Sequence, residues 1–393
     1  MSESIVILGA ARTPMGAFQG DFAALSANDL GGVAIKAAVE RAGVTPDSID
    51  EVLFGNCLMA GQGQAPARQA GFKGGLPQAT GAVTLSKMCG SGMQATMLAH
   101  DQLLAGSRDV MVAGGMESMT NAPYLMLKGR GGYRIGHDRI FDHMMLDGLE
   151  DAYEAGRSMG TFGEDCAAKY GFTRDQQDAF ATASVQRAKA ATESGAFKAE
   201  IAPVTVKGRA GETVISIDEG PGKVKIDKIP SLKPAFKKDG TITAASSSSI
   251  NDGAAALVLA RESTAKALGA TPIARIVGHA THAQAPEWFS TAPVGAVQKL
   301  LKKIGWEVKD VDLWEINEAF AVVPMAAMTD LGISHEIVNV NGGACALGHP
   351  IGASGARIIV TLIHALKARG LKKGVATLCI GGGEGTALAI EVL

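Results

Sequence analysis

The segment MCGSGMQATMLAHDQLLAGSRDVMVAGGMES, Met88–Ser118, joins a glycine-rich turn, an apolar helix pattern and an apolar strand pattern. The helix pattern stops at Gly106, and a continuous apolar run follows at once. A strand that is apolar throughout is typical of a sheet covered on both faces. The segment also places Cys89 at the turn that leads into the helix, where a thiol needs an explanation.

Similar strand and helix patterns alternate along the first 120 residues. Ile5–Ala10 and 50–58 are apolar runs, and 82–89 is another. Asn28–Ala42 has helical spacing that ends at a glycine. The alternation predicts an α/β chain with largely parallel sheets and buried strands.

The later part of the chain repeats this order. Gly352–Ile358, GASGARI, resembles Cys89–Ala95, CGSGMQA, and each begins a long apolar helix, a short loop and a strand ending in glycines. Pro272–His282 likewise resembles the first strand. The matching order predicts a duplicated fold. Cys89 and Cys379 then lie one in each half, at the end of the sheet where α/β proteins usually bind ligands.

The character of the sequence changes between the two halves. Charged turns and polar helices dominate 121–249. We therefore predict an inserted domain over 121–249, carried on a first half that comprises 1–120 and 250–270. The second half comprises 271–393.

Composition narrows the class of protein. A chain of 393 residues with 47% hydrophobic and 19% charged residues predicts a packed protein with more than one domain. A net charge of −2 without a basic block disfavours nucleic acid as a partner. Five cysteines without a C-x-x-C pair disfavour a disulfide framework or a metal knuckle. The amino terminus lacks a signal-peptide pattern, and by sequence no apolar run reaches membrane-spanning length, so we expect a cytoplasmic protein without membrane association.

Four motifs, in order, resemble the thiolase family of acyl-CoA acetyltransferases: MCGSGMQA from Met88, WEINEAFA from Trp314, NVNGGACALGHPIGASGAR from Asn339 and CIGGGEGTA from Cys379. The resemblance extends from Ile5 to Leu393. It implies the thiolase fold, with two duplicated βαβαβαββ-type halves in a five-layered αβαβα arrangement. The insertion would form a loop domain over the active site.

The resemblance implies a role for each motif. Cys89 would be acylated, His349 would take its proton, and Cys379 would be the base that forms an enolate. Asn317 would hold a water at the enolate oxygen, and the backbone N–H groups of Cys89 and Gly381 would form an oxyanion pocket. Elementary chemistry agrees, because a thiolate is the natural nucleophile for thioester exchange.

Two further expectations concern the turn around Cys89. The amino terminus of the helix is expected to lower the pKa of the thiol. Gly90 and Gly92 are expected to let the backbone pass close to a bound acyl group.

The resemblance also implies contacts with the substrate. Ser248 and Ala244, in AASSSS, would contact the pantetheine chain, Phe320 would line the acyl pocket, and Leu149 and Met159 would lie nearby. The insertion carries four lysines for the coenzyme A phosphates, although each is more often a solvated surface residue. They are Lys223, Lys225, Lys228 and Lys233, of which we select Lys228.

The predicted reaction is the reversible condensation of two acetyl-CoA to acetoacetyl-CoA and coenzyme A. Acyl-CoA and coenzyme A are then the partners, and no separate cofactor is implied. Leu125–His143 resembles the loop that joins two dimers in tetrameric thiolases, which predicts a homotetramer. Ser158 and the serine run 246–249 depart from familiar acetoacetyl-CoA thiolases, so a degradative 3-ketoacyl-CoA thiolase of broader chain length is the alternative. The sequence offers no physical account of Glu384.

Two more distant alternatives fit the sequence less well. Ketoacyl synthases that use carrier proteins share the fold but typically have Cys–His–His or Cys–His–Asn sets, so Cys379 argues against them. A lipid-binding relative would be expected to lack Cys89, Cys379 or His349, and all three are present.

Overall fold

The computed structural model describes residues 3–209 and 211–393 and has an α/β architecture. Its strands are β1 Ile5–Arg12, β2 Gly16–Ala17, β3 Glu51–Gly55, β4 Gly81–Leu85, β5 Val110–Ser118, β6 Tyr124–Leu125, β7 Phe141–Asp142, β8 Val204–Gly208, β9 Gly211–Ile215, β10 Asn251–Arg261, β11 Ala274–Ala283, β12 Leu313–Ile316, β13 Lys373–Ile380 and β14 Glu384–Val392. Its α-helices are α1 Ala27–Ala42, α2 Pro66–Lys73, α3 Ser91–Leu104, α4 Met159–Tyr170, α5 Arg174–Ser194, α6 Glu219–Lys223, α7 Glu262–Ala267, α8 Ala292–Ile304, α9 Val322–Leu331, α10 Ala344–Leu347 and α11 Ile351–Ala368.

The two halves repeat one strand order. The first half has the order β4-β3-β5-β10-β1, and the second half has β12-β13-β14-β11. The halves meet at β1 and β11, which share only the pairs Val6–Arg275 and Ile7–Ala274. The predicted duplication is confirmed, because β1, β3, β5 and β10 correspond to β11, β12, β13 and β14.

The prediction of largely parallel sheets was wrong. The pairs β3–β4, β3–β5 and β12–β13 are parallel, but β1–β10, β10–β5, β11–β14 and β13–β14 are antiparallel. Only three residues connect β13 to β14, and so short a link forces an antiparallel pair. An uninterrupted run of apolar residues indicates that a strand is buried on both faces, but it does not indicate the direction of the strand relative to its neighbours.

Helices form the layers around the two sheets. Helices α3 and α11 pack against each other between the sheets, and their apolar side chains share a core with β1, β5, β13 and β14. Helices α1 and α2 cover the outer face of the first sheet, while α8 and α9 cover the second. The order is therefore helices, sheet, helices, sheet, helices, as the resemblance implied.

Two local expectations need correction. Strand β4 was expected to be buried, but it is the edge of the first sheet and is half-exposed, with Val83 open to solvent. Helix α11 is long and apolar enough to span a membrane, contrary to the expectation for this sequence, with a mean hydropathy of 1.3. Because 83% of this helix is buried inside the protein, it has the position of a core helix.

Buried charges attach the segment 121–249 to the first sheet. The Arg12 guanidinium, on β1, contacts Glu200 at 2.5 Å and Asp218 at 2.6 Å, and all three side chains are fully buried. Loss of one partner of a buried ion pair strongly destabilises a protein, because the other charge is left buried without a partner. These contacts therefore hold the insertion in one position. The division into 1–120 plus 250–270, 121–249 and 271–393 stays a prediction.

Candidate active site

A strained turn holds Cys89 at the start of α3. Met88 has a positive φ of 46°, which is uncommon for a residue with a side chain. Ser91 stabilises this turn, because its hydroxyl donates to the Met88 carbonyl at 2.7 Å and accepts from the Lys87 N–H at 2.8 Å. The thiol is therefore fixed just before the first turn of the helix.

The expected lowering of the Cys89 pKa was wrong. Burial raises the pKa of the thiol to about 11, the carboxylate of Glu117 adds to this, and hydrogen bonds from the N–H groups of Gly381 and Cys89 oppose it. Desolvation therefore outweighs the helix amino terminus in the free protein. The same two N–H groups are those predicted to form the oxyanion pocket.

The two glycines beside Cys89 lie where its turn packs against the second half of the chain. A side chain on Gly92 would lie 2.8 Å from the Ala356 nitrogen, in α11. A side chain on Gly90 would overlap Ile380, at the end of β13. Both glycines thus permit close packing of the Cys89 turn against the second half, and their approach to a bound acyl group stays a prediction.

Alkylation kinetics give a test of the Cys89 environment. We expect iodoacetamide to modify Cys89 before the other cysteines, because the other four are buried. The rate should rise about tenfold per pH unit from pH 7 to 9, because the thiolate reacts and the pKa lies well above this range. Peptide mass mapping at each pH would measure this, with acetyl-CoA as the protecting ligand. A rate that is constant above pH 7.5 would contradict the raised pKa.

His349 is buried with a defined tautomer. Its Nδ1 lies 2.5 Å from the Ser354 hydroxyl, which itself donates to the Pro350 carbonyl at 2.9 Å. The Ser354 oxygen must therefore accept a hydrogen bond from the Nδ1–H group. The proton of the neutral ring is then on Nδ1, and Nε2 carries the lone pair. Burial lowers the pKa of His349 to about 3, with a contribution from Arg357, so the ring is neutral and can act as a base.

Asn317 lies beside His349, although the two residues are on different elements. It follows β12, and its Nδ2 is 3.5 Å from Nε2 of His349. Its Oδ1 is buried and has no hydrogen-bond partner among residues 3–209 and 211–393. Buried polar atoms are normally satisfied, so this oxygen is suited to a donor such as a water or a ligand.

Cys379 is fully buried near the end of β13. It packs in an apolar cluster with Phe162, Phe289 and Phe320. Burial raises the pKa of this thiol well above its usual value, and proximity to Cys89 raises it further. Cys379 is therefore a neutral thiol in the free protein and would be a strong base once ionised.

An apolar pocket of about 280 Å³ adjoins these groups. Its lining includes the predicted contacts Leu149, Met159, Ser248, Phe320 and His349. Ser248 is held there because its N–H donates to the Ala319 carbonyl at 3.0 Å, next to Phe320. Cys89 packs against an apolar cluster that includes Met119 and Ile351, and both of these residues line the pocket.

The other two predicted contacts do not line this pocket. Ala244 is exposed at the start of AASSSS. Lys228 is exposed and lies 3.6 Å from Asp227, so it has the position of a solvated surface lysine. A phosphate contact for Lys228 stays a prediction.

Several residues around the site were missed. Glu117 is buried at the end of β5, where it accepts N–H groups from Cys57 and Gly352 at 2.9 Å, and burial raises its pKa to about 7. An acidic residue at the end of an apolar strand was the signal for it. Ser354 had a weaker signal, because its position five residues after His349 points at the histidine only if α11 begins between them.

The structure gives an account of Glu384. Its carboxylate pairs with the Lys87 ammonium. Lys87 lies two residues before Cys89, and Glu384 follows the glycine turn that contains Gly381. The pair therefore joins the two segments that were predicted to form the oxyanion pocket.

Comparisons with known proteins agree over the whole chain. The family model for the thiolase N-terminal domain matches residues 5–263, and that for the thiolase C-terminal domain matches 270–392. The acetyl-CoA acetyltransferase of Escherichia coli is 50% identical over 393 residues, with all of both chains covered. That of Chromobacterium violaceum is 49% identical, with 98% of this chain and 99% of the relative covered.

Solved structures show the same similarity. The acetyl-CoA acetyltransferase of Bacillus anthracis has a TM-score of 0.97 and 43% identity, with 100% of this chain and 99% of the other covered. The Acat5 thiolase of Ascaris suum, solved in complex with coenzyme A, has a TM-score of 0.94 and 42% identity over all of both chains.

Proposed function

This chain belongs to the thiolase family, and from that premise we propose that it transfers acetyl groups between coenzyme A thioesters through an acetyl-Cys89 intermediate. It is an acyltransferase of the acetyl-CoA acetyltransferase type, which condenses two acetyl-CoA to acetoacetyl-CoA and runs in reverse as thiolysis. The observation that carries the proposed mechanism is the buried His349 with Nδ1 bonded to Ser354 and Nε2 3.5 Å from Asn317, because it places a neutral base beside the acyl pocket.

In the first half-reaction the Cys89 sulfur attacks the acetyl-CoA carbonyl while its proton moves to Nε2 of His349. The bond from the acetyl carbon to the coenzyme A sulfur breaks, and the leaving sulfur takes the proton of Cys379. The products are acetyl-Cys89, coenzyme A, an imidazolium and the Cys379 thiolate. The N–H groups of Cys89 and Gly381 stabilise the oxyanion that forms on the way.

In the second half-reaction the Cys379 thiolate removes a methyl proton from a second acetyl-CoA. Asn317 and His349 face the enolate oxygen, Asn317 through a bound water. The enolate carbon then attacks the acetyl-Cys89 carbonyl and forms the new carbon–carbon bond. The Cys89 sulfur leaves and recovers its proton from His349, so both cysteines end as thiols and no proton is consumed.

The electrostatics of the site support this order of steps. Because burial lowers the pKa of His349 to about 3, its imidazolium returns the proton readily. Burial is the main reason that the pKa of the Cys379 thiol lies well above its usual value. Its thiolate is therefore a strong base toward the methyl proton once the departing coenzyme A sulfur has taken its proton.

Chain length distinguishes acetyl transfer from broad 3-ketoacyl-CoA degradation. We expect kcat/KM for thiolysis to be highest for the C4 substrate and to fall by about tenfold or more at C8. Each methylene group that the pocket does not accommodate weakens binding by about 1 kcal/mol. The pocket is bounded by Leu149, Phe236 and Phe320, with Met145 and Met159 as adaptable side chains. Assays from C4 to C16 measure this. Equal values through C12 would support the degradative alternative.

A tetramer is the proposed assembly, on the evidence of the segment 124–143. Tyr124 is 70% exposed and Ile135 is 99% exposed, and Met126, Leu127 and Ile140 are exposed beside them. A cluster of exposed apolar side chains in one surface segment is typical of a protein interface. The segment is held at its base by pairing of β6 with β7, so it projects as one unit.

Substitution in this segment tests the tetramer. We expect Ile135→Glu to convert a tetramer to a dimer, because a buried unpaired carboxylate is strongly unfavourable at an interface. Light scattering at micromolar concentration gives the mass, with Ile217→Glu as the control at another exposed apolar position. A dimeric wild-type protein would contradict the assembly but would leave the chemistry unaffected.

The proposed reaction uses coenzyme A as both substrate and product, and none of its steps requires a separate cofactor. A cytoplasmic location also remains part of the proposal. All five cysteines are free thiols, which fits a reducing compartment.

A further inference from the structure

Three side chains from the two halves meet at a second point, away from the acyl pocket. His100 and Asp101 lie on α3, and His279 lies on β11. Nε2 of His279 is 2.9 Å from Oδ1 of Asp101 and 3.2 Å from Nδ1 of His100. Nδ1 of His100 is 3.0 Å from the same Asp101 oxygen. The three atoms therefore form a nearly equilateral triangle.

The size of this triangle matches the coordination of a small divalent ion. Zinc binds imidazole nitrogen and carboxylate oxygen at about 2.0–2.2 Å in tetrahedral sites, so its ligand atoms lie about 3.4 Å apart. The observed separations of 2.9, 3.2 and 3.0 Å are within a few tenths of an ångström of that spacing. The ligand atoms would therefore have to move apart only slightly to admit an ion.

Exposure and protonation also suit a metal site. The side chains of His100 and His279 are 12% and 10% exposed, whereas Asp101 is 56% exposed and opens the cluster to solvent. Each of the two ring nitrogens in the cluster can offer a lone pair to an ion in the tautomer that carries its proton on the other ring nitrogen.

One neighbouring positive charge disfavours the binding of a cation at this cluster. The Lys303 ammonium, on α8, donates to the backbone carbonyl of His279 at 3.2 Å. The carboxylate of Asp101 offsets this charge, and the hydrogen bond holds the ammonium at the backbone rather than at the ring nitrogens. A site with two imidazoles and one carboxylate favours the zinc class of ions over calcium or magnesium, which prefer all-oxygen ligands.

We infer that His100, Asp101 and His279 form a binding site for a divalent transition-metal ion of the zinc class, with a water as the fourth ligand. The ion would join α3, whose first turn follows Cys89, to β11 of the second half. It would lie outside the acyl-transfer site, so its role is to stabilise the junction of the halves. The inference does not depend on the proposed reaction.

Cobalt absorption and zinc calorimetry test the site on the whole protein. We expect Co²⁺ to give tetrahedral d–d bands without a thiolate charge-transfer band. We expect His279→Ala and Asp101→Asn to weaken Zn²⁺ binding by more than about 100-fold, because loss of even an outer-shell partner weakens metal affinity by about 10–100-fold. His282→Ala is the matched control, since it lies on the same strand and bonds Gln284 instead. The control should bind Zn²⁺ as the wild type does.

Thermal unfolding keeps the test decisive when a variant is less stable. Zn²⁺ should raise the Tm of the wild type and of His282→Ala and should leave that of His279→Ala unchanged. Equal Zn²⁺ affinity in wild type and His279→Ala would overturn the inference. A Co²⁺ spectrum dominated by a thiolate band would overturn it as well, because it would place the ion at a cysteine.

Discussion

Cys89→Ala should lose both condensation and thiolysis, with kcat lower by about 10⁴–10⁶-fold, the range found when a covalent nucleophile is removed. Neither half-reaction can proceed without a sulfur at the start of α3, whereas the fold should persist because alanine fits the same turn. Steady-state assays in both directions measure the loss. The control is Cys345→Ala, which removes a buried thiol in a separate apolar cluster.

The Cys89→Ala protein has a further use. Exchange of the acetyl-CoA methyl protons with deuterium should be much slower in it than in the wild type, because Cys379 loses its proton only when coenzyme A leaves during acetylation of Cys89. Activity within about tenfold of the wild type would contradict the assignment of Cys89 as nucleophile.

Cys379→Ser should separate the two half-reactions. Acetoacetyl-CoA formation should fall by about 10²–10⁴-fold, the usual contribution of a general base, because a hydroxyl is far less acidic than a thiol and does not supply the basic anion. Acetylation of Cys89 should survive, since coenzyme A is a thiol with a pKa of about 8.5 and leaves with little help from an acid. Pre-steady-state release of coenzyme A, taken beside the rate of condensation, measures both.

Condensation by Cys379→Ser at nearly the wild-type rate would remove Cys379 as the base. His349 would then be the remaining base beside the substrate, with its Nε2 lone pair held by the Ser354 hydrogen bond. Cys166→Ser is a suitable control, because Cys166 is a buried thiol in the same apolar cluster as Cys379.

The duplication and the family were predictable because both follow from the order of motifs and secondary-structure patterns along the chain. GASGARI and CGSGMQA match, and each is followed by a helix, a loop and a strand. In the structure the two helices are α11 and α3, which pack against each other in the central layer. Strand direction was not predictable, since an apolar run reports only burial. The antiparallel β13–β14 pair follows from a three-residue connection whose length no periodicity reveals.

The site was predictable as a set of residues and not as an electrostatic environment. A helix amino terminus next to Cys89 is visible in the sequence, but the burial that raises its pKa arises from segments far away in the chain. Glu117 and Gly381 lie 28 and 292 residues beyond Cys89, and both contribute to that pKa. The His100–Asp101–His279 cluster was missed for the same reason.

The central claim is that Cys89 carries the acetyl group. Its most direct test is the intact-protein mass after incubation with acetyl-CoA and acid quench, followed by mapping of the modified peptide. The account predicts one acetyl group on the peptide that contains Cys89, in the wild type and in Cys379→Ser, and none in Cys89→Ala. An acetylated Cys89→Ala protein, or a wild-type protein acetylated at another residue, would contradict it.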